Sequence, residues 1–453
     1  MSDNLDAFEK KYKYLLKDKF PSFYSSLQKT PYKYFRLNAV RGIDYLKELD
    51  TQGIAHCKDK IFPDVYRLCS DDVISKTVSF LTGGLYIQNP SSLYPVKILH
   101  DFLKEQKSPA ILDLCASPGG KTTALSEKFN RRGIVVANEA YKSRLKSLHF
   151  NLEKYGAWNV KTTSFDGRIV GKYYPESFDG ILLDAPCSNE NKFFLNDEVR
   201  RNWSHDLVKR MQKLQQELIL AAFDALAPGG VLVYSTCTFS VEENEHVIER
   251  LMEERASASL LNISHDECQG LSGNTDIDSC VMRVLPCFDI ERDRSFYDGF
   301  FVAAVKKEGE LNGEKQDVKG EEKLKIQIQY YFDYDFQECI FFQKKGIIFM
   351  EAPYSFNAKF HKTGIKAGKF AGDKIEISSQ LLWELGKYAK NEFKTNLNLQ
   401  ESIDYLNGYD IRKSELNVNN PIFAYYKEIP VGTVKLVNGM LKNKLDRYFL
   451  YGR

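Results

Sequence analysis

Between residues 110 and 255 short apolar runs alternate with stretches of helical length, and this alternation restricts the fold more than any other feature of the chain. Ala110–Cys115 (AILDLC), Gly133–Asn138 (GIVVAN), Gly180–Leu183 and Val231–Ser235 (VLVYS) have the length and apolar character of buried strands, and Val160–Ser164 reads as the third strand of the series. Lys121–Phe129, Lys142–Tyr155, Asp206–Leu226 and Val241–Arg255 read as helices, the third stopped by Pro228-Gly229-Gly230. Strands buried on both faces need crossover helices, so the expected class is α/β, a doubly wound and mostly parallel sheet. In such sheets ligands gather outside the carboxyl ends of the strands, which makes the residues just after each run the ones to read for chemistry.

Leu112-Asp113-Leu114-Cys115-Ala116-Ser117-Pro118-Gly119-Gly120-Lys121-Thr122 follows the first strand and opens the first helix. Its glycines let a backbone approach a ligand closely, and the N–H groups of a helix start attract a carboxylate or phosphate. Gly-Gly-Lys-Thr resembles the end of a P-loop, but that motif needs a glycine five positions before Gly120, where Cys115 stands. A kinase or nucleotidase reading fails with it. Glu139, past the second strand, has the spacing of an acid that binds ribose hydroxyls, and Asp166, past the third, is placed to reach an adenine amino group. Singly, each is as well explained as a helix cap or a loop acid. Together, at successive strand ends, they favour a nucleoside ligand. Asp184-Ala185-Pro186-Cys187-Ser188 ends the fourth strand and Thr236-Cys237-Thr238 the fifth. An acid and two thiols at adjacent strand ends form a candidate catalytic set.

These segments, CASPGGKT, DAPCS and YSTCTFSVEENE, resemble the signatures of the Sun/nucleolar-protein family of RNA cytosine-carbon-5 methyltransferases. Arg36-Leu37-Asn38, Gln88-Asn89-Pro90-Ser91-Ser92 and Gly299-Phe300-Phe301 extend the resemblance over about residues 8 to 307. Pro430-Val431-Gly432 and Gly439-Met440-Leu441-Lys442-Asn443 are similar to the PUA-like RNA-binding tail of the bacterial small-subunit ribosomal RNA methyltransferase F group. The resemblance implies a class I Rossmann-like methyltransferase that uses S-adenosyl-L-methionine. It implies that Cys115, Ala116, Ser117, Pro118, Gly119, Gly120, Lys121, Glu139, Arg144, Asp166 and Asp184 contact that cofactor. Cys237 would be the nucleophile, Cys187 would help release the product, and Lys121 and Asp184 would border the target cytosine. The expected partner is RNA, foremost small-subunit (16S) ribosomal RNA or the subunit itself. Transfer RNA is the alternative, and a catalytically silent RNA-binding assembly factor is the rival from another class. DNA cytosine methyltransferases use the cysteine of the Pro-Cys motif and have no need of Cys237. One stretch departs from the family pattern: after DAPCS the family usually has Gly-Glu-Gly-Met-Phe, and this chain has Asn189-Glu190-Asn191-Lys192-Phe193. That replacement bears on the loop that meets the substrate.

The flanks carry the charge. Lys10, Lys11, Lys13, Lys17, Lys19, Lys29, Lys33 and Arg36 face only Asp18, with Tyr12, Tyr14, Tyr32 and Tyr34 interleaved. Further basic groups are Lys359, Lys362, Lys366, Lys369 and Lys374, and Lys435, Lys442, Lys444, Arg447 and Arg453. Basic faces with aromatics suit a phosphate backbone and stacked bases, although a solvated lysine surface is the commoner outcome. Residues 1–75 read as helices with turns at Pro21, Pro31 and Gly53, forming an N-terminal RNA-binding region ahead of the methyltransferase domain at 76–307. A charged linker at 308–324 leads to a first C-terminal domain at 325–395, with strand patterns in IQIQYYF, CIFF and GIIFM, and a PUA-like domain at 396–453. Nine cysteines without a CxxC pair predict neither a disulfide framework nor a zinc site, and no metal is expected. No apolar run approaches a membrane span and the N-terminus lacks a secretory core, so a cytoplasmic monomer is expected.

Overall fold

The computed structural model describes residues 2–69, 73–263, 269–285, 297–311, 318–354, 356, 358–413, 416 and 422–451. Cys268, Cys287 and Arg453 lie outside them. Among the described residues the central sheet has nine strands: β1 (Ala110–Asp113), β2 (Ile134–Asn138), β3 (Val160–Thr163), β4 (Phe178–Asp184), β5 (Leu226–Thr236), β6 (Ala258–Leu261), β7 (Met282–Val284), β8 (Phe300–Lys307) and β9 (Lys362–Thr363). Their order is β6-β8-β5-β4-β1-β2-β3-β9, with β7 also on β8. Pairs among β1 to β5 are parallel, whereas β8 runs antiparallel to β5. The direction of winding reverses at β1, between β2 and β4, which puts a crevice above the carboxyl ends of those strands. Every residue of β1, β2 and β3 is buried, as expected of strands covered on both faces.

Helices Gly120–Lys128, Lys142–Lys154 and His205–Ala225 fall where the sequence puts them. The third ends three residues before Pro228, because Leu226 already turns to extended backbone. Pro228-Gly229-Gly230 belongs to β5, beside an irregularity in its pairing with β4. The last helix starts at Glu245 rather than Val241.

The N-terminal reading needs correction. Helices Ser2–Leu16 and Phe20–Leu27 are followed by an antiparallel sheet ordered His56–Lys58, Val65–Leu68, Tyr34–Leu37, Leu85–Ile87. Pro21 starts a helix instead of a turn, a position that needs no N–H. In the C-terminal half, CIFF and GIIFM form the hairpin Ile340–Lys344 and Ile347–Glu351, but IQIQ lies in the helix Glu322–Gln329. A five-stranded sheet completes the chain, with Phe423–Tyr426, Ile429–Val437 and Met440–Asn443 consecutive in it.

The C-terminal half is stitched to the rest. Strand β9 extends the central sheet beside β3, flanked by His361 N–H to Thr162 O (2.8 Å) and Gly364 N–H to Val160 O (3.1 Å). Glu384 is buried between two guanidinium groups, Arg41 from the N-terminal region (3.1 Å) and Arg131 from the methyltransferase region (3.0 Å). Lys154, at the end of its helix, is buried with its ammonium 3.9 Å from the Phe80 ring centre and near the rings of Phe150, Tyr155 and Tyr451. Burial and the nearby Arg41 push Lys154 down to about 7. No helix among the described residues is long and apolar enough to cross a membrane.

Candidate active site

The first loop leaves β1 at Asp113 and enters its helix at Gly120. Gly119 has φ +107°, a conformation that L side chains resist, and a Cβ there would press on Leu148 at 3.1 Å. Gly119 supplies no side-chain cap, so the first N–H groups of the helix are open to a bound anion. The loop is braced from behind: Ala116 N–H donates to Asn138 O (2.9 Å), and Ser117 exchanges bonds with Arg144 through Ser117 Oγ to Arg144 O (3.1 Å) and Arg144 Nη2 to Ser117 O (2.8 Å). Asp113 is fully buried beneath it, takes Thr122 Oγ1 at 2.7 Å, and is pushed up to about 7 by burial. Burial likewise pushes the Cys115 thiol far up, which makes it inert.

Glu139 is buried at the end of β2, accepting from Tyr141 N–H (2.9 Å) and lying 3.3 Å from the half-exposed Arg144 guanidinium. Asp166, at the end of β3, is more open. It caps the short turn after it by accepting from Arg168 N–H (3.0 Å), and Arg168 also grips it at 2.6 Å, holding its carboxyl below the usual range. Asn138 joins these strand ends, its amide donating to Leu114 O and Phe165 O and accepting from Thr163 Oγ1.

At the next two strand ends the structure brings four sequence candidates together. Lys121 Nζ donates to Asp184 Oδ2 at 2.7 Å, Ser235 Oγ donates to Asp184 Oδ1 at 2.9 Å, and the Lys121 ammonium sits 5.2 Å from the Phe300 ring centre. Cys187 Sγ and Cys237 Sγ are 3.2 Å apart. The hydrogen bond with Cys237, then burial, raises the Cys187 thiol well above its ordinary value.

Two buried carboxylates hold the cysteine loops, and the motif reading assigned no role to either. Glu190 accepts from Tyr12 OH (2.5 Å), Trp203 Nε1 (2.8 Å), Thr238 Oγ1 (2.5 Å), Phe239 N–H (2.9 Å) and Ser240 Oγ (2.9 Å). Burial pushes its carboxyl up, but Lys11 and these donors outweigh that and hold it below the usual range. Glu243 takes Ser188 N–H (3.0 Å), Ser188 Oγ and Gln215 Nε2 (2.9 Å), and is raised to about 7 by burial and by Glu190. The Cys187 loop is thus tied to the Cys237 loop and to the N-terminal helix. A signal existed in the paired acids of Glu242-Glu243-Asn244-Glu245, but not the partner, since Tyr12 is 178 residues from Glu190.

The basic clusters look different in three dimensions. Lys11 bonds Ser240 and Glu242, while Tyr12, Tyr34 and Arg36 are internal. Tyr14 and Tyr32 remain outside. Lys362, Lys366 and Lys369 pair with Glu153, Asp446 and Glu376, and Lys442 and Lys444 pair with Asp410 and Glu376.

Comparison with known proteins fits this geometry. Residues 100–306 match the family described as 16S rRNA methyltransferase RsmB/F, and residues 392–451 match the RsmF PUA domain. The ribosomal RNA small subunit methyltransferase F of Vibrio campbellii is 31% identical over 83% of this chain and 81% of its own length. That of Vibrio atlanticus is 30% identical over 94% and 93%. This chain belongs to the ribosomal RNA small subunit methyltransferase F family. A methyltransferase homologue from Pyrococcus horikoshii, 29% identical, has the same fold with a TM-score of 0.56 over 65% of this chain and 93% of its own. The NSun6 structure from the same organism, at 21% identity, shares the fold (TM-score 0.57, 67% of this chain and 98% of that one). These relatives are named as methyltransferases of the small-subunit ribosomal RNA. The protein is an RNA methyltransferase with a Rossmann-like catalytic domain and a C-terminal PUA domain.

Proposed function

We propose that this methyltransferase F family protein methylates carbon 5 of cytosine in small-subunit ribosomal RNA through a covalent bond between Cys237 and the base. The observation that carries this reading is the pair of thiols 3.2 Å apart beside the Lys121–Asp184 ion pair. Carbon 5 of cytosine is a weak nucleophile, and a thiol to add at carbon 6, a proton donor for the ring and a second thiol to act as base are what its activation needs.

S-adenosylmethionine, when bound, supplies the electrophilic methyl group. The open helix start at Gly119-Gly120 suits its carboxylate, buried Glu139 suits the ribose hydroxyls, and Asp166 suits the adenine amine if Arg168 yields one oxygen. Cys115, Ala116, Ser117 and Pro118 form the loop wall, and Arg144 holds Glu139 and Ser117 in place.

The Cys237 thiolate adds to carbon 6, and ring nitrogen 3 takes a proton from the Lys121–Asp184 pair, which leaves carbon 5 enamine-like. Carbon 5 then takes the methyl group, whose bond to the sulfonium sulfur breaks with the electron pair left on that sulfur. A base removes the remaining proton at carbon 5, the carbon 5–carbon 6 double bond re-forms, the Cys237 sulfur leaves as a thiolate, and ring nitrogen 3 returns its proton to the Lys121–Asp184 pair. Cys187 suits that last step for a physical reason. Its thiol is held protonated chiefly by its neighbour Cys237. Once Cys237 is a neutral thioether that restraint is gone, so Cys187 ionises more easily when a base is needed.

The test is denaturing electrophoresis of Cys187→Ala after incubation with S-adenosylmethionine and total cellular RNA. A slow-migrating protein–RNA adduct is expected, absent in Cys187→Ala/Cys237→Ala, and sequencing of the trapped RNA names the cytosine. Trapped transfer RNA would move the substrate to that class. No adduct with any RNA would point to DNA as substrate, to a releasing base other than Cys187, or to a silent binding protein, and full activity of Cys237→Ala would refute the covalent route.

A further inference from the structure

Asn189 lies between two anchored neighbours, Ser188 on Glu243 and Glu190 on its five donors. Its backbone is left-handed, with φ +56° and ψ +37°, a conformation that asparagine tolerates better than most side chains and glycine tolerates best. Where the family pattern has that glycine, this chain therefore keeps the loop shape and adds an amide. The amide is aimed at the reaction centre: its Oδ1 is 3.1 Å from Cys237 Sγ and 4.0 Å from Cys187 Sγ. An amide oxygen can only accept, so the Cys237 S–H points at it.

Resting on the reading of Cys237 as nucleophile, we propose that Asn189 is a positioning residue that holds the Cys237 thiol, proton attached, between itself and Cys187 until the target base enters. The bond orients the sulfur and ties its S–H to the Asn189 amide. Release needs rotation of the amide and transfer of the thiol proton to solvent water as the base enters; turned over, the amide presents its N–H groups to the sulfur. The charged and titratable groups around the pair are Cys187, Asp184 with Lys121, and the buried Glu243 and Glu190 that fix the two loops. None of them belongs to the Asn189 side chain, so substitution there changes the local donor–acceptor balance without removing an anchor.

The experiment is the rate of Cys237 alkylation by iodoacetamide in the full-length protein, without RNA or cofactor, located by peptide mass spectrometry. Asn189→Gly keeps the left-handed backbone and deletes the acceptor, so alkylation should quicken about three- to tenfold, the worth of one hydrogen bond. Asn189→Asp keeps the shape and puts a negative charge beside the sulfur, so alkylation should slow by a similar factor. Single-turnover methylation should shift in maximal rate while the RNA concentration at half-rate stays put. Equal alkylation rates in all three proteins, or changes of the same sign in both variants, would reduce Asn189 to a loop residue and overturn the proposal. Because alkylation needs no RNA, this result is independent of the adduct test. An active Cys237→Ala protein would sink the covalent mechanism while leaving the alkylation series standing.

Discussion

Replacing Glu384 by alanine leaves two buried guanidinium groups without the carboxylate between them. Arg41 Nε and Arg131 Nε approach it at 3.1 and 3.0 Å, and both arginines are essentially excluded from solvent. Their other N–H groups stay bonded, Arg41 to Thr82 O (2.7 Å) and Lys154 O (2.8 Å), and Arg131 to Ser126 Oγ (2.9 Å) and Tyr155 O (2.8 Å). The variant therefore loses charge compensation more than hydrogen bonds. Removing one partner of a buried ion pair costs about 3–5 kcal/mol, and with two cations uncompensated the upper end is expected. Urea unfolding followed by tryptophan fluorescence measures it. Trp383 sits beside Glu384 in the core shared by the N-terminal and last sheets, Trp158 packs in a separate C-terminal core, and Trp203 reports the N-terminal helix cluster. Glu384→Ala should lower the midpoint for all three, because the carboxylate joins N-terminal, catalytic and C-terminal parts. The triple change Arg41→Met/Arg131→Met/Glu384→Met should recover most of the loss, since an apolar set of similar volume replaces a buried ionic one at little cost. A loss below about 1 kcal/mol, the range of an exposed pair, would refute the argument.

Cys237→Ala should abolish methyl transfer while calorimetry shows S-adenosylmethionine still binding; residual wild-type activity would remove Cys237 from the mechanism. Glu139→Ala should weaken cofactor binding roughly tenfold to a hundredfold, the worth of hydrogen bonds to a charged group, and an unchanged affinity would count against the ribose contact. Lys154 is pushed down to about 7 in the folded chain from an ordinary 10.5, so below pH 7 the fold bears the full cost of a buried ammonium. Between those values the unfolded chain binds more protons, so stability rises with pH at up to about 1.4 kcal/mol per unit. Lys154→Met should gain stability at pH 6.5 relative to wild type and lose part of that advantage by pH 9, and parallel stability curves for the two proteins would exclude the titration.

The central sheet was legible because its signals are local: β1, β2, β4 and β5 carry apolar runs, and a candidate site residue lies within about three residues of each strand end. What escaped depends on partners distant in sequence. Tyr34–Leu37 is a strand because it pairs with Val65–Arg67 and Leu85–Ile87, contacts that no local periodicity records. IQIQ alternates like a strand, yet Leu324 and Ile328 are buried four apart on one helix face and Ile326 is exposed, so the longer period wins. Charge misled in the same way: Lys362 reads as part of a basic patch until Glu153, 209 residues away, is brought to it. At the site, the two cysteines and Asp184 were readable from their places at strand ends, and Lys121 came only with the family resemblance. Glu190 was not, because its role is to gather donors from an N-terminal helix and a distant loop.

The two-residue strand β9 imposes an order on synthesis. Its partner β3 is complete about 200 residues before Lys362 is translated. At roughly 5–20 residues per second, that leaves the outer edge of β3 unpaired for about 10–40 seconds on every nascent chain. An open strand edge is a template for pairing with another chain, and on a polysome the next copy is close by. A fragment that stops at residue 307 would keep that edge bare permanently, and its insolubility would say nothing about how well the catalytic domain itself is built.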